Sequence, residues 1–502
     1  MSSLLFILIL FTSSLLSPCF SSSSVSQPIL LPLVHSLSGT TARYNTTHHL
    51  LRSTSSRSAA RFHRHFHHPR RPTSSSPVSL PLSPGSDYTL SLTLPTAPPR
   101  TVSLFMDTGS DLVWFPCSPF SCILCEGKQS PDPVNITSSA SRVSCSSAKC
   151  SAAHSYSSSS DLCAIARCPL ESIEMSECSS YTCPQFYYAY GDGSFIATLY
   201  EHAIAIDASS APSLVINNFT FGCAHSALAE PVGVAGFGRG VLSLPAQLAM
   251  TSPQLGSSFS YCLVSHSFDS DRVRRPSPLI LGRYGYDTKS KTAPEQSLSG
   301  GFSYTKMLDN PKHPYFYCVG LEGISVGGTK IPAPASLTRV DRDGNGGMVV
   351  DSGTTYTMLP SSLYAPLAAE FDRKLGKLHE RAIGVETSTG LSPCYYFDGK
   401  NPADIPSLVL HFKSNNTSGV VLPRENYLYE FVDESKGKSS RRRVGCLMMM
   451  DGGDEEEMGG GPVGILGNYQ QQGFEVVYDL EKRRVGFARR HCASLWEGLV
   501  SR

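Results

Sequence analysis

The 502-residue chain is poor in charge, and its first 86 residues contain no Lys, Asp or Glu. Charged residues make up only 17% of the chain, whereas Gly and Pro number 41 and 35. This composition favours an all-β chain with many turns over a helical one. No apolar run beyond the N-terminus is long enough to span a bilayer, so no membrane anchor is expected. The glycine run GFGRG lacks a following Lys-Ser/Thr, so no phosphate site is expected either.

The N-terminal part of the chain divides into two segments. Residues 1–24 contain the short apolar run LLFILILF, which is typical of a secretory signal peptide. Residues 25–80 form a basic segment: seven Arg and seven His lie before Asp87. Since the whole chain carries +1, residues 87–502 carry 1 − 7 = −6. We interpret the His-rich tract at 63–68 as a solvated basic tract rather than a metal site. Nucleic-acid binding is not expected of a secreted chain without a supporting fold.

From Tyr88 onward the pattern is one of short strands. YTLSLTL alternates apolar and polar residues, as a half-buried strand does. The clearest helical pattern is Ser361–Leu378, which follows Pro360 and has Ser361 or Ser362 as candidate cap. We predict two β lobes, residues 81–275 and 276–502.

Sixteen cysteines are present, and fifteen remain once Cys19 leaves with the signal peptide. Many of them cluster in residues 117–183. CILC could supply half a zinc site, but the later spacings do not match, and secretion favours disulfides. No metal is therefore expected. Sequons of the N-x-S/T type begin at Asn45, Asn135, Asn218, Asn415 and Asn416. They are candidates for glycosylation because the chain is expected to be secreted.

A short motif occurs twice, about half a chain apart. FMDTGSDLVWFPC places Asp107 at the end of an apolar run, and VVDSGTTYTMLP does the same for Asp351. A single copy would fit a surface turn equally well. Two copies indicate two similar lobes that each present one carboxylate. Two carboxylates brought together cannot both ionise easily, so the pair offers one base and one acid.

The sequence resembles the pepsin-like aspartic proteases, and more closely their plant nepenthesin-like branch. The resemblance rests on both Asp motifs, on YAYGDGS, VAGFGRG and GILGN, and on FGC, FSYC, GISVGG and GNYQQQGFEVVYD. It covers about residues 87–492. It implies a bilobal fold with a cleft between the lobes, and an aspartic endopeptidase that needs no cofactor and acts on protein or peptide substrates.

The resemblance also implies roles for individual residues. Asp107 and Asp351 are the expected catalytic pair. Residues expected to support the pair are Thr108, Gly109, Ser110, Ser352, Gly353 and Thr354. Tyr190, Gly191, Asp192 and Gly193 match the flap, and Trp114 matches the tryptophan that supports the flap tyrosine. Asn468 departs from the Asp common in pepsin-like enzymes.

The cysteines can be interpreted in the same way. The cluster at 117–183 resembles the cysteine-rich insertion of nepenthesins. Cys394 and Cys446 are expected to close a loop in the second lobe. Cys318 is the candidate unpaired thiol, because relatives usually have an apolar residue in its strand.

Alternatives remain at this stage. Some plant relatives keep the fold, lose one catalytic Asp and act as binding proteins; here both Asp motifs are intact. A serine hydrolase would need a nucleophile elbow such as G-x-S-x-G, which we do not identify, so that class is not expected. We expect a secreted monomer in the extracellular space or cell wall, with the vacuole or endomembranes as alternatives.

The basic segment suggests a prosegment that keeps the enzyme inactive. In many relatives a prosegment Lys lies across the two Asp residues. The first Lys here is Lys128, so such a contact must come from Arg or His. Arg70 and Arg71 are the basic pair nearest the predicted mature start.

Overall fold

The computed structural model describes residues 28–39, 46–66, 87–125, 131–136, 140–190, 193–207, 213–253, 255–256, 258–266, 268, 270–282, 301–397, 405–414, 419–433, 442–454 and 460–501. Several predictions fall outside these residues: the signal peptide at 1–24, Arg70 and Arg71, Gly191 and Asp192, and the sequons at Asn45, Asn415 and Asn416.

Strands dominate the described residues. They are β1 Ile29–His35, β2 Tyr88–Leu94, β3 Arg100–Asp107, β4 Trp114–Ile123, β5 Ser141–Arg142, β6 Phe186–Tyr190, β7 Gly193–Ile206, β8 Leu214–Leu228, β9 Val234–Gly236, β10 Phe259–Cys262, β11 Ser277–Leu281, β12 Ser303–Leu308, β13 Cys318–Val319, β14 Leu321–Val326, β15 Thr329–Pro332, β16 Met348–Val350, β17 Thr357–Leu359, β18 Cys394–Phe397, β19 Leu408–Phe412, β20 Val420–Leu422, β21 Leu428–Asp433, β22 Arg442–Leu447, β23 Met449–Asp451, β24 Gly464–Leu466, β25 Phe474–Asp479 and β26 Arg484–Arg489.

The helices are mostly short. They are α1 Thr47–Phe66, α2 Ala148–Ala153, α3 Ser159–Ile165, α4 Leu170–Glu174, α5 Leu244–Thr251, α6 Ser270–Val273, α7 Ala335–Thr338, α8 Ser361–Leu375, α9 Ile383–Thr389, α10 Asn468–Gln471 and α11 Cys492–Val500. The predicted helix at Ser361–Leu378 is α8, which ends three residues earlier. Pro360 occupies the N-cap position of α8, and no side chain makes a capping hydrogen bond there. The predicted Ser cap is therefore wrong. Ser361 Oγ instead donates to Asp451 Oδ1 at 2.8 Å.

The two Asp motifs sit in equivalent pairings of strands. β3 pairs in parallel with β9, so that Asp107 lies opposite Gly236. β16 pairs in parallel with β24 in the same way, and Asp351 follows its last residue. Strands β4 and β17 then return antiparallel to β9 and β24. The predicted bilobal all-β fold is confirmed. The residue boundary between the lobes stays a prediction.

A sheet made of strands from distant parts of the chain joins the lobes. β10 pairs with β11 and β25, and β25 continues through β26 to β12. β1, from the basic segment, adds to the edge of this sheet by pairing with β11. Its last residue, His35, pairs with Tyr88 at the start of β2. Part of the basic segment is therefore built into the fold.

The cysteine-rich insertion carries helices rather than strands alone. Helices α2, α3 and α4 lie between β5 and β6, a feature that the sequence did not predict. The disulfides are Cys117–Cys223, Cys122–Cys125, Cys145–Cys178, Cys150–Cys183, Cys262–Cys492 and Cys394–Cys446. The predicted Cys394–Cys446 pair is present. Cys318 is unpaired as expected, and so are Cys163 and Cys168.

Candidate active site

The two carboxylates are buried, and each is followed by a turn. Asp107 is 2% exposed and Asp351 is 1% exposed. The N–H of Gly109 donates to Asp107 Oδ1 at 2.9 Å, and that of Gly353 donates to Asp351 Oδ1 at 2.7 Å. A Cβ on Gly109 would lie 2.7 Å from Asp351, and one on Gly353 would lie 2.2 Å from Asp107. Each glycine thus lets its loop pass against the carboxylate of the opposite lobe.

Thr108 and Ser352 tie the two loops together. Thr108 Oγ1 accepts from the N–H of Ser352 at 2.9 Å and donates to the carbonyl of Val350 at 3.0 Å. Ser352 Oγ accepts from the N–H of Thr108 at 3.1 Å and donates to the carbonyl of Met106 at 3.2 Å. Because all these atoms are buried, the link fixes the separation of the carboxylates.

The hydroxyls of Thr354 and Ser110, which follow the two Asp residues at the same spacing, differ in their hydrogen bonding. Thr354 Oγ1 donates to Asp351 Oδ2 at 2.6 Å. Ser110 Oγ is buried and has no hydrogen-bond partner within the described residues. The support of the pair that the resemblance assigns to the Ser110 hydroxyl is therefore not seen among the described residues. An arginine contacts both oxygens of Asp107.

That arginine is Arg61, in helix α1 of the basic segment. Its Nη2 lies 2.6 Å from both Oδ1 and Oδ2 of Asp107. Its Nε lies 3.3 Å from Asp351 Oδ2. The side chain is only 4% exposed, so the guanidinium is a buried cation shared by two carboxylates. Arg61 fills the predicted place of the prosegment base.

Further contacts set the register of α1 over the second lobe. Thr54 Oγ1 lies 2.7 Å from the hydroxyl of Tyr356, and Ser58 Oγ accepts from the N–H of Tyr356 at 3.2 Å. Ser55 Oγ donates to the carbonyl of Thr389 at 2.7 Å. Because 54, 58 and 61 are one turn apart, they share a face of the helix.

A second ion pair lies one helical turn before Arg61. Arg57 Nη2 lies 3.4 Å from Asp87 Oδ1, and both side chains are under 10% exposed. Asp87 Oδ2 also accepts from Asn468 Nδ2 at 3.2 Å. Asn468 donates in addition to the carbonyl of Ser352 at 3.0 Å. Asn468 therefore connects the loop that follows Asp351 to this ion pair.

Two buried histidines lie beside Asp87. The rings of His35, from β1, and His266 are 4.5 Å apart. Each Nδ1 accepts a backbone N–H, from Leu37 and Phe268 respectively. Burial lowers the pKa of His35 to about 4 although Asp87 opposes the shift, and burial lowers the pKa of His266 well below its usual range. Both rings are therefore neutral near pH 6.

Burial also affects the carboxylates. It raises the pKa of Asp351 to about 6, opposed by Arg61 and aided by Asp107. It raises the pKa of Asp111 to about 7, although the N–H of Gly240 donates to its Oδ1 at 2.7 Å. A Cβ on Gly240 would lie 2.1 Å from Asp111 Oδ2, so Asp111 holds the glycine-rich GFGRG loop closely.

The flap hairpin is formed by β6 and β7. Tyr190 pairs with Gly193 across its tip, and Gly191 and Asp192 lie outside the described residues. Trp114, 2% exposed, stacks on Phe195 at 4.2 Å. Phe195 in turn stacks on Tyr188. Trp114 therefore packs beneath the base of the flap.

Sequence reasoning missed Arg61, Arg57, Asp87, His35 and His266. Only one signal pointed to any of them: Arg57 and Arg61 have the i, i+4 spacing of one helix face in a run without Gly or Pro.

The expectation that the chain has no G-x-S-x-G motif is wrong, but the motif does not form a further site. Gly323–Gly327 does have the G-x-S-x-G spacing, and Ser325 Oγ lies 2.7 Å from His411 Nε2. However, Ser325 is in the middle of β14, paired with Lys330 on one side and Val409 on the other. A nucleophile elbow needs a sharp strand-to-helix turn, so this contact is a cross-strand bond.

Comparison with known proteins identifies the group to which the chain belongs. Family models described as Xylanase inhibitor N-terminal and Xylanase inhibitor C-terminal match residues 88–283 and 316–489. A probable aspartyl protease of Arabidopsis thaliana is 59% identical over 494 residues, which is 96% of each chain. The chain belongs to the pepsin-like aspartic protease family. Aspartic proteinase nepenthesin-1 of Nepenthes gracilis is 30% identical and covers 81% of this chain and 78% of its own. The predicted nepenthesin-like branch and aspartic endopeptidase class are confirmed.

Solved structures support the fold alone. The structure titled "edgp" has a TM-score of 0.59 at 19% identity and covers 81% of this chain and 92% of its own. Basic 7S globulin from soybean has a TM-score of 0.55 at 20% identity, with 81% and 95% covered. Among the described helices, none is both long and apolar enough to cross a membrane.

Proposed function

We propose that the chain is a secreted zymogen whose mature form hydrolyses peptide bonds at acid pH through Asp107 and Asp351. The observation that carries this proposal is the contact of Arg61 with both carboxylates. A cation from the basic segment occupies the space where a substrate and a water molecule would have to sit.

The reaction follows from the pair of carboxylates once Arg61 has left. One carboxylate is ionised and takes a proton from a water molecule lying between the two. The water oxygen attacks the peptide carbonyl carbon, while the protonated carboxyl donates to the carbonyl oxygen. The tetrahedral centre then collapses, the C–N bond breaks and the leaving nitrogen takes up a proton. The two carboxyls titrate as one unit, so we assign no separate roles.

Acid is the proposed trigger for release of the segment. Arg61 and Arg57 stay protonated at every relevant pH. The partners of Arg61, Asp107 and Asp351, lose charge as they are protonated, and the attraction then disappears. The histidines act in the same direction, because His35 and His266 are buried as neutral rings and protonation is easier once β1 is exposed to water.

Peptide or protein substrates follow from the family. We further propose that the mature enzyme is a monomer that acts outside the cell or in the cell wall, with the vacuole or endomembranes as alternatives. The sequons at Asn135 and Asn218 lie at exposed positions, which supports glycosylation there.

The test is to produce the precursor with Asp107→Asn or Asp351→Asn and assay a mixed peptide library from pH 2.5 to 7. Each variant should lose several orders of magnitude of activity while keeping its circular dichroism spectrum. Asp132→Asn is the matched control, because that side chain is 88% exposed. Pepstatin, a mimic of the tetrahedral centre, should inhibit the active enzyme, whereas chelators should not. Near-normal acid activity in either dyad variant would refute the assignment.

The alternative function is that of a binding protein, since the matching family models are described as xylanase inhibitor domains. It would be favoured if the wild-type chain, after removal of the basic segment, bound a partner protein but cut no peptide at any pH.

A further inference from the structure

The two thiols left over in the cysteine-rich insertion lie at one helix end. Twelve of the sixteen cysteines form six disulfides, and Cys163, Cys168 and Cys318 remain unpaired among the described residues. Cys163 lies in the last turn of α3, and Cys168 follows the helix. Both are buried, at 0% and 7% exposed.

The chain leaves α3 through a Schellman motif. The N–H of Cys168 donates to the carbonyl of Cys163 at 3.0 Å, and that of Arg167 donates to Ala164 at 3.1 Å. Arg167 is left-handed, with φ of 58°. In this motif the residue two positions beyond the cap contacts the residue three positions before it. Those two positions belong to Cys168 and Cys163.

The two side chains are therefore neighbours. Burial raises the pKa of the Cys163 thiol, and the nearby Cys168 thiol raises it further. Both belong to the buried cluster that also contains the Cys145–Cys178 and Cys150–Cys183 disulfides. A backbone turn that brings two cysteines into contact meets the main geometric requirement for a disulfide.

We propose that Cys163 and Cys168 form a seventh disulfide, which closes the end of α3 and leaves Cys318 as the unpaired thiol of the secreted chain. The inference rests on the proposed secretion, because the oxidant is a disulfide of the secretory pathway, such as a thiol oxidoreductase or oxidised glutathione. One thiolate attacks that disulfide and releases one thiol, and the second thiolate then displaces the other. The two cysteines lose two protons and two electrons, and the external disulfide becomes two thiols.

Two other fates of Cys163 are less consistent with its surroundings. Its sulfur lies within 4.8 Å of those of Cys145 and Cys178, a grouping that could suggest a metal site. However, metal binding needs thiolates, and those two sulfurs are bonded to each other. As a free thiol, Cys163 would be close enough to attack that disulfide. Pairing with Cys168 removes this possibility.

The bond forms most readily before the insertion closes. Burial raises the pKa of the Cys163 thiol, and the Cys168 thiol adds to the shift. A buried thiol with a raised pKa supplies little thiolate. Late oxidation of the folded chain would therefore be slow.

The experiment counts and locates thiols in the precursor that a eukaryotic host secretes into the medium after removing the signal peptide with Cys19. Free thiols are alkylated in denaturant without reductant, and the intact mass gives their number. We expect one alkylated thiol, at Cys318. The Cys318→Ser variant should then show none, and Cys163→Ser should show two, because Cys168 loses its partner. The double variant Cys163→Ser/Cys168→Ser should return to one.

The bond itself can be observed directly. Trypsin cuts after Arg167, and a glutamyl endopeptidase in phosphate buffer cuts after Asp161 and Glu171. The digest should contain Leu162–Arg167 joined to Cys168–Glu171, and reduction should separate them. Three alkylated thiols, or Cys163 joined to a Cys145 or Cys178 peptide, would overturn the inference. The count needs no peptidase activity, so it is independent of whether the proposed reaction occurs.

Discussion

Arg61 Nη2 lies 2.6 Å from each carboxylate oxygen of Asp107, and both side chains are under 5% exposed. A guanidinium in this position neutralises charge that the buried pair could not otherwise carry. Under the proposed function, the same side chain would also keep substrate away from the two carboxylates.

The first prediction concerns this arginine. Arg61→Gln removes the charged partner and should weaken attachment of α1 by about 3 kcal/mol, as when one member of a buried ion pair is removed. At pH 6 the uncleaved Arg61→Gln precursor should bind pepstatin at least tenfold more tightly than the wild type, as measured by calorimetry. Arg52→Gln, an exposed arginine of the same helix, should leave the affinity unchanged. Equal affinity in wild type and Arg61→Gln would show that Arg61 does not block the cleft.

The second prediction concerns His35 and pH. Burial lowers its pKa from 6.5 to about 4, so attachment of β1 is complete above about pH 6.5 and is weakened as the pH falls towards 4. Between these two pH values, the free energy that holds β1 in place falls by at most about 3 kcal/mol. The groups around the ring are His266, Asp87, Arg57 and Tyr88.

His35→Phe cannot take up the proton, so release of the segment should need a lower pH, by roughly half a unit or more. The pH midpoint of pepstatin binding to the uncleaved precursor measures this shift. The exposed His49→Phe variant is the control. If the midpoint stays at the wild-type pH, protonation of His35 does not contribute to release of the segment, and protonation of the carboxylates alone causes it.

A third prediction separates the two outer hydroxyls. Thr354→Ala removes a 2.6 Å bond to a carboxylate and should lower the free energy of unfolding of the precursor by about 1.5–3 kcal/mol. Ser110→Ala removes a buried hydroxyl without a partner in the described part of the chain, so its cost should be below about 0.5 kcal/mol. Denaturant unfolding at pH 6 measures both. Equal losses would mean that Ser110 has a partner like that of Thr354.

The fourth prediction concerns Asp111, whose pKa burial raises to about 7. A raised carboxyl pKa favours the protonated folded state, so stability is lost as the pH rises from about 4 through 7. Asp111→Asn cannot ionise and keeps an acceptor for Gly240. It should raise the free energy of unfolding at pH 8 by about 2–4 kcal/mol and change it little at pH 4. An equal decrease in the free energy of unfolding of Asp111→Asn at pH 4 and pH 8 would contradict this prediction.

The chain's own pattern determined the doubled Asp motif and the alternating strands, because these depend on neighbours a few residues apart. Each motif contains the Asp, the Gly that allows close approach and the hydroxyl beside it, so the two lobes and the dyad could be predicted from residues 105–117 and 349–360. The resemblance to a family added the order of the remaining motifs.

Only the tertiary structure decided which arginine reaches the dyad. Seven arginines precede Asp87, and the register of α1 comes from contacts between Thr54, Ser58 and Tyr356, about 300 positions apart. The same holds for the pairing of β1 with β11 and for the contact of His35 with His266. Long-range contacts of this kind depend on how the whole chain packs, and no local pattern of residues encodes them.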